Sequence, residues 1–157
     1  MKLQNNIGRT CGKCNACCKT YSVPGMSRDS SGWCQHCDIG RGCAIYEERP
    51  EVCRYFTCAW LNGTGDESWR PDRFGVMIDV QDVRVGGRVV GVLHLWEIVV
   101  GGLEKDVIKE MAELHLAKGF IVVKHTPAMG LLYRGEVSAR KHLFTPTEVE
   151  EMKALEL

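Results

Sequence analysis

An α+β fold is the class that this sequence predicts, on three observations. Residues 61–157 alternate between two-residue and helical apolar periodicity in the order ββαββα, the pattern of a small layer of sheet and helix. Residues 1–60 show almost no such periodicity. All nine cysteines fall between Cys11 and Cys58, so the N-terminal segment is loop-rich and needs something other than an apolar stripe to hold it. The expected organisation is therefore a cysteine segment at 1–60 packed on an α+β domain at 61–157. A chain of 157 residues buries about 68–70% of its unfolded surface, enough for one ordinary core.

Within the second part, Leu61-Asn-Gly-Thr-Gly-Asp-Glu-Ser68 is a turn-rich break. Phe74, Val76, Ile78 and Val80 alternate with Gly75, Met77 and Asp79, which predicts a half-buried strand. Gly86-Gly87 then separates Val83-Arg84-Val85 from the apolar run Val89 to Val100, the pattern of a hairpin leading into a central strand. A helix is expected from about Leu103 to Lys118, with Leu103, Val107, Ile108, Met111 and Leu114 on one stripe and Gly119 as its stop. Phe120 to Val123 and Leu131 to Tyr133 read as two further strands. Thr145-Pro-Thr-Glu148 has the form of a capping box with proline at the first helical position, so a last helix runs to the end. His94, His115, His125 and His142 are scattered, and none pairs with an acid at metal-site spacing; His115 beside the helix stripe reads as a packed histidine. There is no glycine-rich phosphate loop and no basic run interleaved with aromatics, so this part carries no catalytic motif.

The cysteine segment opens with a short polar arm, residues 1–10, then Cys11-Gly-Lys-Cys14-Asn-Ala-Cys17-Cys18. A Ser/Gly/Pro-rich loop from Tyr21 to Gly32 leads to a second pair, Cys34-Gln-His36-Cys37, in which a histidine between the cysteines is usually a bystander. Gly40 and Gly42 flank Arg41 before Cys43 and allow tight turns that aim amide N–H groups at sulfur. Pro50 and Glu51 suit the first turn of a helix through Cys53 to about Trp60. Five residues on a helix separate Cys53 from Cys58 by about 140°, so either the helix ends before Cys58 or the two serve different positions. Tyr46, Tyr55, Phe56 and Trp60 supply aromatic cover.

Four sulfurs within eight residues exceed what packing requires, because thiols buried as small hydrophobes have no reason to cluster. A disulfide scaffold needs an oxidising compartment and normally an even count, whereas the count here is nine and Met1 to Gly8 holds no apolar run for a signal peptide. A redox dithiol belongs at a helix start in a βαβ unit, and none is visible around Cys11 or Cys34. The segment thus reads as a metal-binding framework, since a two-residue gap lets two soft thiolates meet one ion. Its cofactor is zinc or an iron–sulfur cluster. Cys11, Cys14 and Cys17 match the opening of the bacterial ferredoxin run, but the next cysteine is adjacent and no proline follows. Neighbouring side chains diverge, so Cys17 and Cys18 do not both comfortably ligate one tetrahedral ion.

The net charge is zero, from 20 basic and 20 acidic residues, which gives no bulk attraction to nucleic acid or to an anionic membrane. Residues 1–58 carry eight Lys/Arg against five Asp/Glu, with Lys13, Lys19, Arg41 and Arg54 near cysteines where positive charge favours thiolate. No apolar run reaches the roughly 18 residues of a membrane span, and the expected location is the cytoplasm.

Cys11-x2-Cys14-x2-Cys17-Cys18, followed by Cys43-Ala-Ile45-Tyr46-Glu-Glu-Arg49-Pro50-Glu-Val-Cys53-Arg54-Tyr-Phe56, resembles the CxxCxxCC cysteine-cluster family, the YkgJ-like zinc- or iron-chelating domain. The resemblance covers about a third of the chain. It implies a metal held by Cys11, Cys14, Cys17, Cys18, Cys43 and Cys53, and through some relatives an iron–sulfur oxidoreductase. Cys34 and Cys37 lie outside that pattern; they build a second site with Cys58 and one of the Cys17–Cys18 doublet, or make no metal bond. The expected function is a cytoplasmic cysteine-cluster metalloprotein, with an electron-transfer protein and a metal-stabilised protein-interaction module as the alternatives. Metal ions are the expected partners, with a protein partner of unidentified kind open and neither nucleic acid nor membrane expected.

Overall fold

Gly86 and Gly87, with φ of 57° and 79°, form a two-residue turn whose left-handed backbone matches the twist of the strands it joins. It sets Val85 opposite Arg88 and carries the register unbroken to Val76 opposite Glu97. The computed structural model describes residues 8–29, 32–128 and 133–155. In chain order these form helix α1 (Ala16–Thr20), the short strands β1 (Cys37–Asp38) and β2 (Gly42–Cys43), helices α2 (Glu51–Tyr55) and α3 (Pro71–Phe74), and strands β3 (Val76–Val85) and β4 (Arg88–Glu97). Helix α4 (Asp106–Ala117), strands β5 (Ile121–Pro127) and β6 (Tyr133–Ser138), and helix α5 (Pro146–Ala154) complete them. The chain is mixed helix and sheet, and no helix among the described residues is long and apolar enough to cross a membrane.

The main sheet has the order β3-β4-β5-β6, antiparallel except for the parallel pair β4–β5, whose crossover carries α4. On one face Val76, Ile78, Leu93, Leu95 and Val122 pack against Ile108, Ala112 and Leu116 of α4. That contact follows a four-residue ridge through Ala112, whose small side chain lets helix and sheet approach closely. Val107 and Leu114, expected on the stripe, are 38% and 54% exposed, and Leu103 is buried but lies in a 3₁₀ turn ahead of the helix. Hydrophobicity alone favoured Leu114 over Ala112. Gly119 ends the helix with φ of 85°, and the Phe120 amide donates back to the His115 carbonyl. His115 Nδ1–H donates to the Met111 carbonyl within its own helix and the ring meets Phe120 edge-on, a packed histidine.

The other face is covered in two pieces. At one end Val85, Val90, Val92, Ile121 and Val123 meet Phe144 and Met152, held by α5 and its capping box at Thr145 and Glu148. At the other end Met77 and Trp96 meet Ala16, Cys58 and Trp60 from the cysteine segment, with Tyr21, Phe56 and Tyr133 packed alongside. Between the two covers lies a buried polar band. Tyr21 Oη and Gln81 Nε2 each donate to Asp79 Oδ2 at 2.8 Å. His94 Nδ1 and His125 Nε2 are 2.9 Å apart, and the His125 ring stacks on Trp96 at 3.6 Å. Sequence spacing leaves these histidines apart; the parallel β4–β5 register brings them together by setting His125 beside Trp96.

Three boundaries differ from expectation. Phe74 closes α3 rather than opening a strand, because Gly75 turns left-handed (φ 85°) and its amide donates to Pro71. Strand β4 stops at Glu97, which leaves Val99 and Val100 exposed. Helix α2 stops at Tyr55, well short of Trp60, since Phe56 is extended and the Ala59 amide reaches across to the Ile78 carbonyl at 2.8 Å. The expected strand start at Leu131 lies outside the described residues; β6 is described from Tyr133.

Burial, with a smaller contribution from His94, lowers the His125 pKa to about 4. The unfolded chain therefore takes up this proton first, near pH 6.5. Folding stability should be full above that pH and fall towards pH 4, by on the order of 3 kcal/mol from this group. Urea midpoints measured across this range for the wild type and for His125→Gln test it, and the variant should show a flatter acid limb.

Candidate metal centre

The first cysteine pair is shaped by a turn in which Gly12 takes φ of 53° and the Cys14 amide donates to the Cys11 carbonyl at 2.9 Å. Helix α1 follows and carries Cys17 and Cys18. The second pair hangs from it: the Cys34 amide donates to the Cys18 carbonyl at 3.0 Å, and the Cys37 amide closes a turn on Cys34 at 2.9 Å. The Asn15 side chain accepts from the Gly40 amide, which ties the tip of the β1–β2 hairpin to the same helix. In that hairpin Cys37 stands directly opposite Cys43. Arg28 donates to the carbonyls of Lys19, Gly32 and Tyr21 and so folds the intervening loop back on itself. Arg9 donates to the carbonyls of Trp60, Thr64 and Gly65, which pins the end of the N-terminal arm.

These turns leave a cavity of about 300 Å³ whose wall includes seven of the nine cysteines, Cys11, Cys14, Cys17, Cys18, Cys34, Cys43 and Cys53. The remainder of the wall is mainly apolar, with Val23, Met26, Ile45, Val52 and Phe56. His36 also faces the cavity, and its Nε2 lies 2.9 Å from the Gln35 amide. Cys37 and Cys58 are off the wall; Cys58 is buried beside Ala16 and Trp60, with Cys14 packed against them. None of the nine is paired in a disulfide. Among the described residues no three Cys, His, Asp or Glu side chains already converge as a ligand set, so the thiols ring a space rather than form a closed cage.

The sulfurs sit in surroundings that oppose charge unless a cation is present. Burial pushes the Cys58 thiol up to about 12 and the Cys14 thiol up to about 11. Burial also raises Cys11 and Cys53, with neighbouring sulfurs adding to it, and raises Cys37. Cys17 is raised well above its usual range, first by its hydrogen bond with Cys18 and then by burial; its surface is exposed because it borders the open cavity. Opposing features stabilise thiolate. Amides of Ala16 and Asp72 point at the Cys14 sulfur and the Leu61 amide at the Cys58 sulfur. The Arg49 guanidinium, stacked 3.7 Å over Tyr46, favours the charged forms of Cys11 and Cys53, and Arg70 lies near Cys11 and Cys14. A bound cation adds to this side of the balance and removes the protons.

Every cysteine singled out by spacing lies in this region: seven line the cavity, Cys37 stands opposite Cys43 in the hairpin, and Cys58 is buried with Cys14 packed beside it. Spacing missed Arg49, which sits in plain view in the Arg49-Pro50 motif, and Tyr21, Val23 and Met26 of the loop that read as mere connection. Comparison with family models, curated proteins and solved structures finds no match, so the likeness to the CxxCxxCC family rests on the cysteine motif itself.

In reduced, metal-free protein Cys58, the one buried thiol and one whose burial also disfavours thiolate, should react more slowly with iodoacetamide at pH 8 than the half-buried Cys34 and Cys43, because alkylation needs thiolate and access. Peptide mapping of a labelling time course checks this; early labelling of Cys58 contradicts its burial.

Proposed function

We propose that residues 11–58 form a thiolate metal centre, binding zinc or an iron–sulfur cluster, in a CxxCxxCC-type chain working in a reducing compartment such as the cytoplasm. The observation that carries this reading is a single cavity lined by seven cysteines, with Arg49 on its wall. Soft, deprotonated sulfur is the donor that such metals select, and the donor set fits four-sulfur coordination. Rotation of the thiol side chains about their χ1 bonds closes them on an ion. The metal then staples a segment whose helices and strands are too short to hold themselves, against a ββαββα layer that has its own core. In this role the residues supply charge-assisted N–H···S contacts, a counter-charge at Arg49, and apolar walls that exclude water.

Metal analysis of anaerobically purified protein tests the reading. Iron with matching sulfide and a broad visible band identifies a cluster, and zinc in colourless protein identifies tetrahedral thiolate sites. Less than about half an equivalent of zinc plus iron overturns metal binding. Chelation should also loosen the cover over Met77 and Trp96. Tryptophan emission should then shift to the red and cleavage should concentrate in the first 58 residues; cleavage spread evenly over the chain contradicts a metal-held segment.

A further inference from the structure

We propose that β6 is a self-complementary edge at which two copies of the chain join, antiparallel about a twofold axis at Gly135, so that their four-stranded sheets continue into each other. The partner is a second copy of this chain, and the inference stands independently of the metal reading above.

Strand β6 closes the sheet order β3-β4-β5-β6 and is hydrogen-bonded along one side only, to β5. Among the described residues no backbone hydrogen bond reaches Tyr133–Ser138 from any other element, which leaves the outer row of N–H and C=O groups without a backbone partner. The opposite edge of the sheet differs, because the Ala59 amide meets β3 there at the Ile78 carbonyl. Arg134, Gly135, Glu136 and Val137 are all exposed, and of β6 only Tyr133 packs into an apolar cluster. An open edge of this kind is a template for a further strand.

Symmetry and charge together select the register. A twofold axis perpendicular to the sheet keeps each face of β6 on the same side in both copies, so only residues of one face can oppose each other. Arg134 and Glu136 share one face, and Tyr133, Gly135 and Val137 share the other. An axis at Arg134 or at Glu136 would set that residue against its own copy, like charge on like charge. Axes nearer either end of the strand shorten the ladder. With the axis at Gly135, Arg134 of each copy stands opposite Glu136 of the other, and Tyr133 stands opposite Val137, which is 48% exposed. Opposite-charge pairs and aromatic pairs with β-branched residues both favour an antiparallel ladder. The residue on the axis is a glycine and brings no side chain to collide with its copy. Among the described residues neither Arg134 nor Glu136 has an ion-pair partner in its own chain, so both are available to the second copy. A six-residue edge is small beside a standard interface, and the expected association is therefore weak, in the micromolar range.

Sedimentation velocity of the full chain in reducing buffer, at concentrations spanning the micromolar range, tests the pairing with whatever metal the protein carries. Wild type should pass from monomer to dimer as concentration rises. Arg134→Glu and Glu136→Arg each set like charges opposite one another twice, and each should raise the dimer Kd about tenfold. The double variant Arg134→Glu/Glu136→Arg restores both unlike pairs and should dimerise as wild type does. An equimolar mixture of the two single variants should form a mixed dimer, because the acidic edge of one then meets the basic edge of the other. Circular dichroism matching wild type shows that these exposed changes leave the fold in place. Wild type that stays monomeric throughout, or single variants that associate as tightly as wild type, overturns the proposal. A double variant as weak as the single ones overturns the register at Gly135.

Discussion

Met77 and Trp96 project from an end of the sheet that neither α4 nor α5 reaches, and the whole arrangement of the N-terminal segment answers the need to cover them. Full burial of such side chains stabilises by roughly 1.5–3 kcal/mol each, so leaving them in water would weaken a domain of this size appreciably. Trp60, Ala16 and Cys58 lie on them, Tyr21 and Phe56 close the side, and the Ala59 amide fixes the register of the cover against β3. Because Cys58 and Cys14 belong to that cover, the thiols are placed where protein, not water, surrounds them.

Burial then sets the chemistry. A thiol in low dielectric resists ionisation, and several thiols together resist it further through mutual repulsion. Yet amides of Ala16, Asp72 and Leu61 aim at sulfur, and Arg49 and Arg70 stand beside it. Such contacts are wasted on neutral S–H groups, which are weak acceptors. Thiolates neutralised by an ion, as proposed above, would use them. Short elements alone do not hold the segment: α1 and α2 have five residues each and β1 and β2 two, so its docking on the sheet carries it unless a metal is bound as proposed.

The class of fold was legible in the sequence because period-two alternation, the Gly86-Gly87 turn and the Thr145 capping box are local signals, and the structure uses them where they stand. Errors came where a long-range contact overrode a local one. Helix α2 ends early because Ala59 pairs with Ile78, and the buried stripe of α4 runs through Ala112 because of what the sheet presents to it. The spacing singles out the cysteines as a cluster, but which of them border the cavity is not local information: Cys58 leaves its wall because the chain turns after Tyr55 and Ala59 pairs with Ile78. The His94–His125 pair was invisible for a similar reason: residues 31 apart become neighbours only through a parallel strand pairing.

The most direct test of thiolate metal binding is X-ray absorption at the edge of whichever metal accompanies the protein when it is isolated without air. A first shell made of sulfur alone is expected, at about 2.3 Å for zinc, with about four sulfurs per ion. A first shell dominated by nitrogen or oxygen, or protein with no metal to measure, would contradict it.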